Sequence, residues 1–383
     1  MEKQKIYYLD NASGAQMSNE AYREMIDAYG SLYANPECIY KAGRDASDAI
    51  LRAKEKVAKA IGATADEIIL TSGQAESNNL AIKGIARANR KKGNHIITSV
   101  IEDESVLDSC RALEKEGFVV TYIPVDENGS IKYSEVVKAI GPNTILITIS
   151  VANAEVGTIQ PIRAIAELAK ANEVVFHTDA THAIGMIDLS VKEIGVDALS
   201  LSAHLFGGPM GVGALYVKKG TAIQKLIDGK TSEDAFRAGE LDVPAIVAMG
   251  KAIEEVTENV EERSKYLRSI RRYFLKKASE AIHNIELNGH ASQRLANHAS
   301  LSFEGADGEA VAVLLDKEGI FVSTSASAGR VSQKPSYVLL AMGKELEQAE
   351  STIRFTFSTA TTKEDIDDIV EKLRKIVKKV RSI

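Results

Sequence analysis

Asp179, Arg354 and a glycine turn at Gly73 are the residues of this chain best placed to do chemistry. Asp179 lies in His177-Thr178-Asp179-Ala180, at the C-terminal end of a predicted parallel strand. Ligand sites of α/β sheets form outside those strand ends. Gly73-Gln74-Ala75 falls where a strand gives way to a helix, and a glycine turn there can present backbone N–H groups to an anion. Arg354 sits within the strand-like run Thr352-Ile353-Arg354-Phe355-Thr356-Phe357, and a buried arginine on a strand needs a partner. His182 can donate one hydrogen bond. A further polar loop, Ser202-Ala203-His204-Leu205-Phe206-Gly207-Gly208-Pro209-Met210-Gly211, follows a strand-like run. The two cysteines, Cys38 and Cys110, form neither a metal spacing nor a disulfide framework.

The elements that must position these groups alternate from about residue 66 to 217. Strand-like runs are read at Ile68–Thr71, His95–Thr98, Val119–Ile123, Thr144–Ile149, Val174–Thr178, Ala198–Leu201 and Gly213–Val217. Helical patterns lie between them, including Glu76–Arg90, a run through Val106 and Leu113, and a proline-started helix at Pro161. Continuous β-branched runs alternating with amphipathic helices predict a mostly parallel sheet covered on both faces. A second region begins with a long helical stretch, Val243–Ile282, expected to break near residues 260–265. Strands at Ala299–Phe303, Ile320–Ser323 and Thr352–Phe357, with helices Glu309–Lys317 and Lys363–Val380, predict a smaller α+β domain.

At 383 residues the chain exceeds one ordinary core. Residues 14–255 are expected to form the large domain, and residues 1–13 with 256–383 the small one. A net charge of −6 with both signs interspersed argues against nucleic acid as a partner. No apolar run approaches the ~18 residues of a membrane span, and the start carries no signal-peptide core, so a cytoplasmic protein is expected.

Several ordered motifs resemble the cysteine desulfurases of the class V aminotransferase family. They are Asp10-Asn11-Ala12, Thr71-Ser72-Gly73-Gln74-Ala75-Glu76-Ser77-Asn78-Asn79, His177-Thr178-Asp179-Ala180, the Ser202–Gly211 loop, Arg294-Leu295-Ala296-Asn297 and Ile353-Arg354-Phe355. The resemblance covers nearly the whole chain. It implies a fold-type I, pyridoxal phosphate (PLP)-dependent transferase architecture: an α/β large domain with a mostly parallel sheet, plus a smaller α+β domain.

It also implies roles. Asp179 would pair with the pyridine nitrogen, Ser202 and His204 would hold phosphate, and Arg354 would hold the substrate carboxylate. The family's imine-forming lysine falls at Leu205, its second loop lysine at Met210 and its persulfide-carrying cysteine at Ala328. A leucine has no amine for an imine, and Ser325 and Ser327 beside Ala328 cannot carry a persulfide. Asp103 stands for the stacking histidine, Ala154 for a ring-contact asparagine, His182 for a glutamine, and Ala75 for a hydroxyl of the phosphate turn. In Arg237-Ala238-Gly239-Glu240, Glu240 replaces the threonine that reaches the neighbouring subunit's phosphate. Two unit charges of like sign at ~4 Å repel by roughly 1–4 kcal/mol.

These replacements lead to the expectation of a chain that is not an enzyme. It would bind no cofactor, or PLP if any, and act as a structural or regulatory partner in sulfur transfer or iron–sulfur assembly. The expected partners are a second copy in a homodimer, an active desulfurase, or an iron–sulfur scaffold protein. Glu240 would plug the partner's phosphate cup. Two alternatives stand beside this: non-covalent PLP binding, and new chemistry in a pocket where Asp103, Asp179, His182, His204 and Glu240 converge and could take a metal or cation.

Overall fold

The computed structural model describes residues 5–229, 231–233, 236–324 and 335–382. Its larger sheet has seven strands in the order Ile68–Thr71, Gly213–Val217, Ala198–Ser202, Val175–Asp179, Thr144–Thr148, His95–Ser99 and Val119–Ile123. Gly213–Val217 runs antiparallel to both neighbours, and the remaining pairs are parallel. The three strands Thr144–Thr148, Ala198–Ser202 and Gly213–Val217 are buried at every position. Continuous apolar runs signal this double coverage, because no strand face is left for polar residues.

Helices at Gln74–Ala88, Glu104–Lys115 and Ile162–Ala171 supply that coverage. Gln74–Ala88 starts two residues before the predicted Glu76. Pro161 serves as the N-cap of its helix rather than as its first residue. Two helices outside the expected set, Asn19–Ser31 and Lys41–Ile61, pack on Val243–Glu258. Lys41–Ile61 buries Ala46, Ala49, Ile50, Ala53, Val57 and Ile61 on one face and ends at Gly62, whose left-handed φ of 70° closes the helix.

The long helical stretch divides at Asn259 into Val243–Glu258 and Val260–Ala281, at the edge of the expected break. Its second half packs on a four-stranded antiparallel sheet of Ile285–Asn288, His298–Phe303, Thr352–Thr356 and Ser323–Thr324. Phe274 on the helix meets Phe355 and Phe357 at 4.9 and 5.2 Å between ring centroids. Side chains alternate along a strand, so fixing Ile353 and Phe355 on the helix side sends Arg354 to the opposite face. That face closes on the C-terminal ends of the larger sheet. Among the described residues no helix is long and apolar enough to cross a membrane.

Candidate functional site

The floor of the site is Asp179, the last residue of its strand and 5% exposed. Its Oδ2 accepts from Gln74 Nε2 at 2.8 Å and Asn78 Nδ2 at 2.7 Å. Its Oδ1 accepts from the Thr181 backbone N–H at 2.9 Å and from the Thr181 hydroxyl. Gln74 and Asn78 share a face because they stand four residues apart at the start of one helix. Burial of an anion is tolerated only with such a donor set.

Gly73 caps that helix without a side-chain bond, at φ 137°, a conformation that favours glycine. A Cβ at this position would stand 3.1 Å from Ser202 Oγ. Ser202 Oγ in turn lies 2.9 Å from His204 Nδ1, and burial pushes the His204 pKa down, favouring neutral imidazole. A backbone turn, a hydroxyl and an imidazole thus meet at a helix N-terminus, an arrangement suited to a phosphate. Ala75, in the first helical turn, is exposed and contributes no side-chain donor.

A cavity of about 410 Å³ opens above this floor, lined by Gln74, Asp103, Asp179, His182, His204 and Leu205 together with Ala154 and Arg354. Asp103 caps the Glu104–Lys115 helix, accepting from Ser105 N at 2.8 Å and Ser105 Oγ at 2.5 Å. Burial, and then the neighbouring Asp179 charge, push its carboxyl up. His182 makes no hydrogen bond to a described residue; burial takes its pKa to about 4, against the opposing pull of Asp179. Leu205 is 9% exposed and presents its side chain to the same cavity. Pro335, Ser336 and Tyr337 form the far wall, held by Ser336 Oγ donating to Glu155 and Tyr337 OH donating to the Glu102 carbonyl at 2.5 Å.

Arg354 is already engaged. Its Nη2 donates to Asp10 Oδ1 at 2.8 Å and Ser13 Oγ at 2.7 Å, and Nη1 to the Ala154 carbonyl at 3.2 Å. An incoming carboxylate therefore competes with Asp10. Asp10→Asn removes the competing charge and should tighten binding of a carboxylate ligand such as glycine by roughly tenfold, the scale of a 1.4 kcal/mol change. Calorimetric titration of both proteins checks this, and equal affinities would show that Asp10 does not compete.

One residue of the expected convergence lies elsewhere within the chain. Glu240 is exposed and lines a separate cleft with Tyr29 and Tyr33, so within one chain it does not join Asp103, Asp179, His182 and His204. Its neighbour Arg237 is tied to Glu76 at 2.8 Å, which anchors the segment on the outer side of the helix start. The metal reading is corrected with it: among the described residues no group of three or more His, Cys, Asp and Glu could hold a metal ion. Ala328, with Ser325 and Ser327, lies outside the described residues. Gln74, Asn78, Asp10 and Ser13 belong to the site without having been singled out as site residues. The four-residue spacing of Gln74 and Asn78 was the available signal for the first two.

Next to the cavity, Glu102 is 2% exposed and its pKa is pushed up to about 7, mainly by burial. Its carboxyl accepts from Ser99 Oγ, Ser150 N and Ser150 Oγ. Between pH 4.5 and 7 the folded chain keeps a proton that the unfolded chain has lost, so this group makes stability fall as pH rises through that window. His177 and His182, lowered to about 4, act oppositely: between pH 4 and 6.5 the unfolded chain holds the extra protons and stability rises with pH. Glu102→Gln removes the falling contribution, worth up to about 3 kcal/mol. Urea unfolding between pH 4.5 and 7 should show the variant gaining stability with pH more steeply than wild type; parallel curves would refute this.

The chain matches the Aminotransferase class-V family over residues 7–369 and belongs to it, among the cysteine desulfurases. It is 45% identical to cysteine desulfurase IscS of Dictyoglomus turgidum, over 98% of this chain and 95% of that protein. Cysteine desulfurase IscS of Methanosarcina thermophila is 44% identical, over 99% of this chain and 94% of the relative. A solved NifS-like protein superposes with a TM-score of 0.92 at 34% identity, covering 98% of this chain and 100% of that one.

These relatives correct two expectations. They bear the name of an enzyme and span nearly the whole chain, which points to an enzyme rather than to a chain that is not one. The family is PLP-dependent, so an expectation of no cofactor has no support either. The residues present fit the group: Asp179 offers a buried carboxylate to a ring nitrogen, and the Gly73 turn leaves room that a Cβ would fill beside Ser202.

Proposed function

We propose that this chain is an enzyme of the cysteine desulfurase family that holds PLP without a covalent lysine link and whose reaction is not desulfuration of cysteine. The observation that carries this is Leu205 lining the same cavity as Asp179 and Arg354. The pocket keeps groups for the ring nitrogen, the phosphate and a carboxylate, but the alignment of motifs leaves a leucine where the family has its imine-forming lysine. It likewise leaves Ala328 where the family has its thiol.

In this reading Asp179 faces the ring nitrogen, while Ser202, His204 and the Gly73 turn take the phosphate. PLP, when bound, supplies an electron sink for bonds at the α-carbon of an amino substrate. Arg354 orients the substrate carboxylate after exchanging Asp10 for it. His182 is neutral at physiological pH and makes no hydrogen bond to a described residue, so it can take a proton at a ring nitrogen. His204 can do the same at Nε2, since Ser202 occupies its Nδ1.

The division into residues 14–255 and residues 1–13 with 256–383 is supported by the two largest sheets, whose strands fall within 68–217 and 285–356 respectively, and by the pairing of Tyr7–Tyr8 with Ile320–Phe321. Pairing with a second copy is supported by exposed Tyr29, Tyr33, Ile39 and Tyr40 beside the Glu240 cleft, an apolar surface of the kind that marks interfaces. Equilibrium dialysis tests the cofactor reading. Saturable binding of PLP, competed by inorganic phosphate, is expected, and no binding overturns it. Sedimentation tests the pairing: a dimer is expected, and a monomer overturns it.

A further inference from the structure

The cavity above Asp179 holds more negative charge than its cation can balance. Asp103, Glu104, Glu155 and Asp179 line it, and Arg354 is its only Lys or Arg among the described residues. That guanidinium is itself paired with Asp10 at 2.8 Å. Asp103 Oδ1 accepts from Ser105 N and Ser105 Oγ, whereas Oδ2 accepts from no described residue. Glu104, the next residue along, is exposed and forms no ion pair with a described residue.

The carboxylates other than Asp179 gather at one wall. Tyr337 OH donates to the Glu102 carbonyl at 2.5 Å, and Ser336 Oγ donates to Glu155. The Tyr337 phenol is raised by burial and then by the charges of Asp103, Glu155, Glu102 and Glu104, so the acidic groups stand around one ring. Arg354 adjoins the same wall: its Nη1 donates to the Ala154 carbonyl at 3.2 Å, one residue from Glu155. Consecutive Cα atoms are ~3.8 Å apart, so the guanidinium and the acidic wall fall within the span of one small molecule.

PLP brings a phosphate and an amino-acid substrate brings a carboxylate, both of the sign already in excess. A neutral side chain on the substrate leaves that excess in place, and an acidic one adds to it. A metal ion does not answer it either, because among the described residues no group of three or more His, Cys, Asp and Glu could hold one. We infer that the substrate is an α-amino acid with a second, cationic amine on its side chain, an assignment that rests on the function proposed above. Its carboxylate meets Arg354, and its side-chain ammonium meets Asp103 Oδ2 and Glu104. Burial and then the Asp179 charge push the Asp103 carboxyl up; an ammonium beside it opposes that push and favours the charged form that holds the cation.

L-Lysine is the probe, titrated calorimetrically into the full chain with no PLP added, so that its amines meet only the protein. Wild type should bind it at least about tenfold more tightly than L-norleucine, which keeps the carbon chain and lacks the side-chain amine. Cadaverine, which lacks the carboxylate, should also bind at least about tenfold more weakly than lysine. Both comparisons need no variant to fold. Asp103→Asn keeps a side chain able to cap its helix, and should cut lysine affinity at least about tenfold while leaving norleucine within about twofold. Absence of lysine binding overturns the inference, as do equal affinities for lysine and norleucine. So does an Asp103→Asn variant that binds lysine like wild type, and so does cadaverine binding as tightly as lysine, which would leave a plain amine site. Lysine preference alongside failed PLP dialysis refutes the proposed function and leaves recognition of a diamino acid standing. PLP binding without lysine preference refutes the substrate assignment alone.

Discussion

Leu205→Lys should turn reversible PLP binding into a covalent link. After borohydride reduction, intact-mass analysis is expected to show one added PLP on residue 205 of the variant and none on that residue in wild type. The reason is positional: Leu205 follows His204 and lines the cavity with Asp179, so a longer side chain there delivers its amine into the same space. Tethering makes rebinding intramolecular, and release of PLP should slow by at least ~10³-fold on the scale of effective molarities. Burying an ammonium beside Phe206 should also lower stability until the cofactor binds. Sulfide release from cysteine should stay at the protein-free level for wild type and variant alike, because an added amine supplies no thiol at residue 328. Sulfide from wild type above that level would sink this account, as would a variant that takes up no covalent PLP.

Replacing Asp179 should have the second large effect. Asp179→Asn keeps the shape but offers an amide where Gln74, Asn78 and Thr181 now all donate to a carboxylate. At least one donor is then left facing another donor, which costs about 1–3 kcal/mol of folding free energy. PLP affinity should fall at least ~100-fold, since the negative charge that favours a protonated ring nitrogen is gone. Urea unfolding reads the first effect and PLP titration the second. If stability falls while PLP affinity is unchanged, Asp179 organises the floor of the cavity and does not face the cofactor.

The parts of the fold written in local pattern were readable from the chain. Thr144–Thr148 announces itself as a doubly covered strand through β-branched residues, and Lys363–Val380 appears with the predicted ends because Thr362 caps it and its apolar spacing is regular. Asp179 was readable because a strand end fixes where a side chain can meet a ligand. Lys41–Ile61 was not assigned although Ala46, Ala49, Ile50, Ala53, Val57 and Ile61 recur at helical spacing, a signal that was present and passed over. The Asp10–Arg354 pair was hidden for a different reason, since its partners are 344 residues apart and no local pattern joins them. The same holds for Glu240. Its motif suggested a place at the phosphate cup of a second subunit; within one chain Glu240 lines a separate cleft with Tyr29 and Tyr33, and no local pattern shows where a second subunit would meet it. The expectation of a non-enzyme failed because it weighed replaced positions alone; the relatives weigh the whole chain.

The most direct test of the central claim is a PLP titration of wild-type protein, split into two portions, one desalted and one reduced with borohydride before mass analysis. The account predicts saturable binding at one PLP per chain, loss of the cofactor on desalting, and no PLP-bearing lysine after reduction. Stoichiometric PLP surviving desalting on a reducible lysine, or no binding at all, would contradict it.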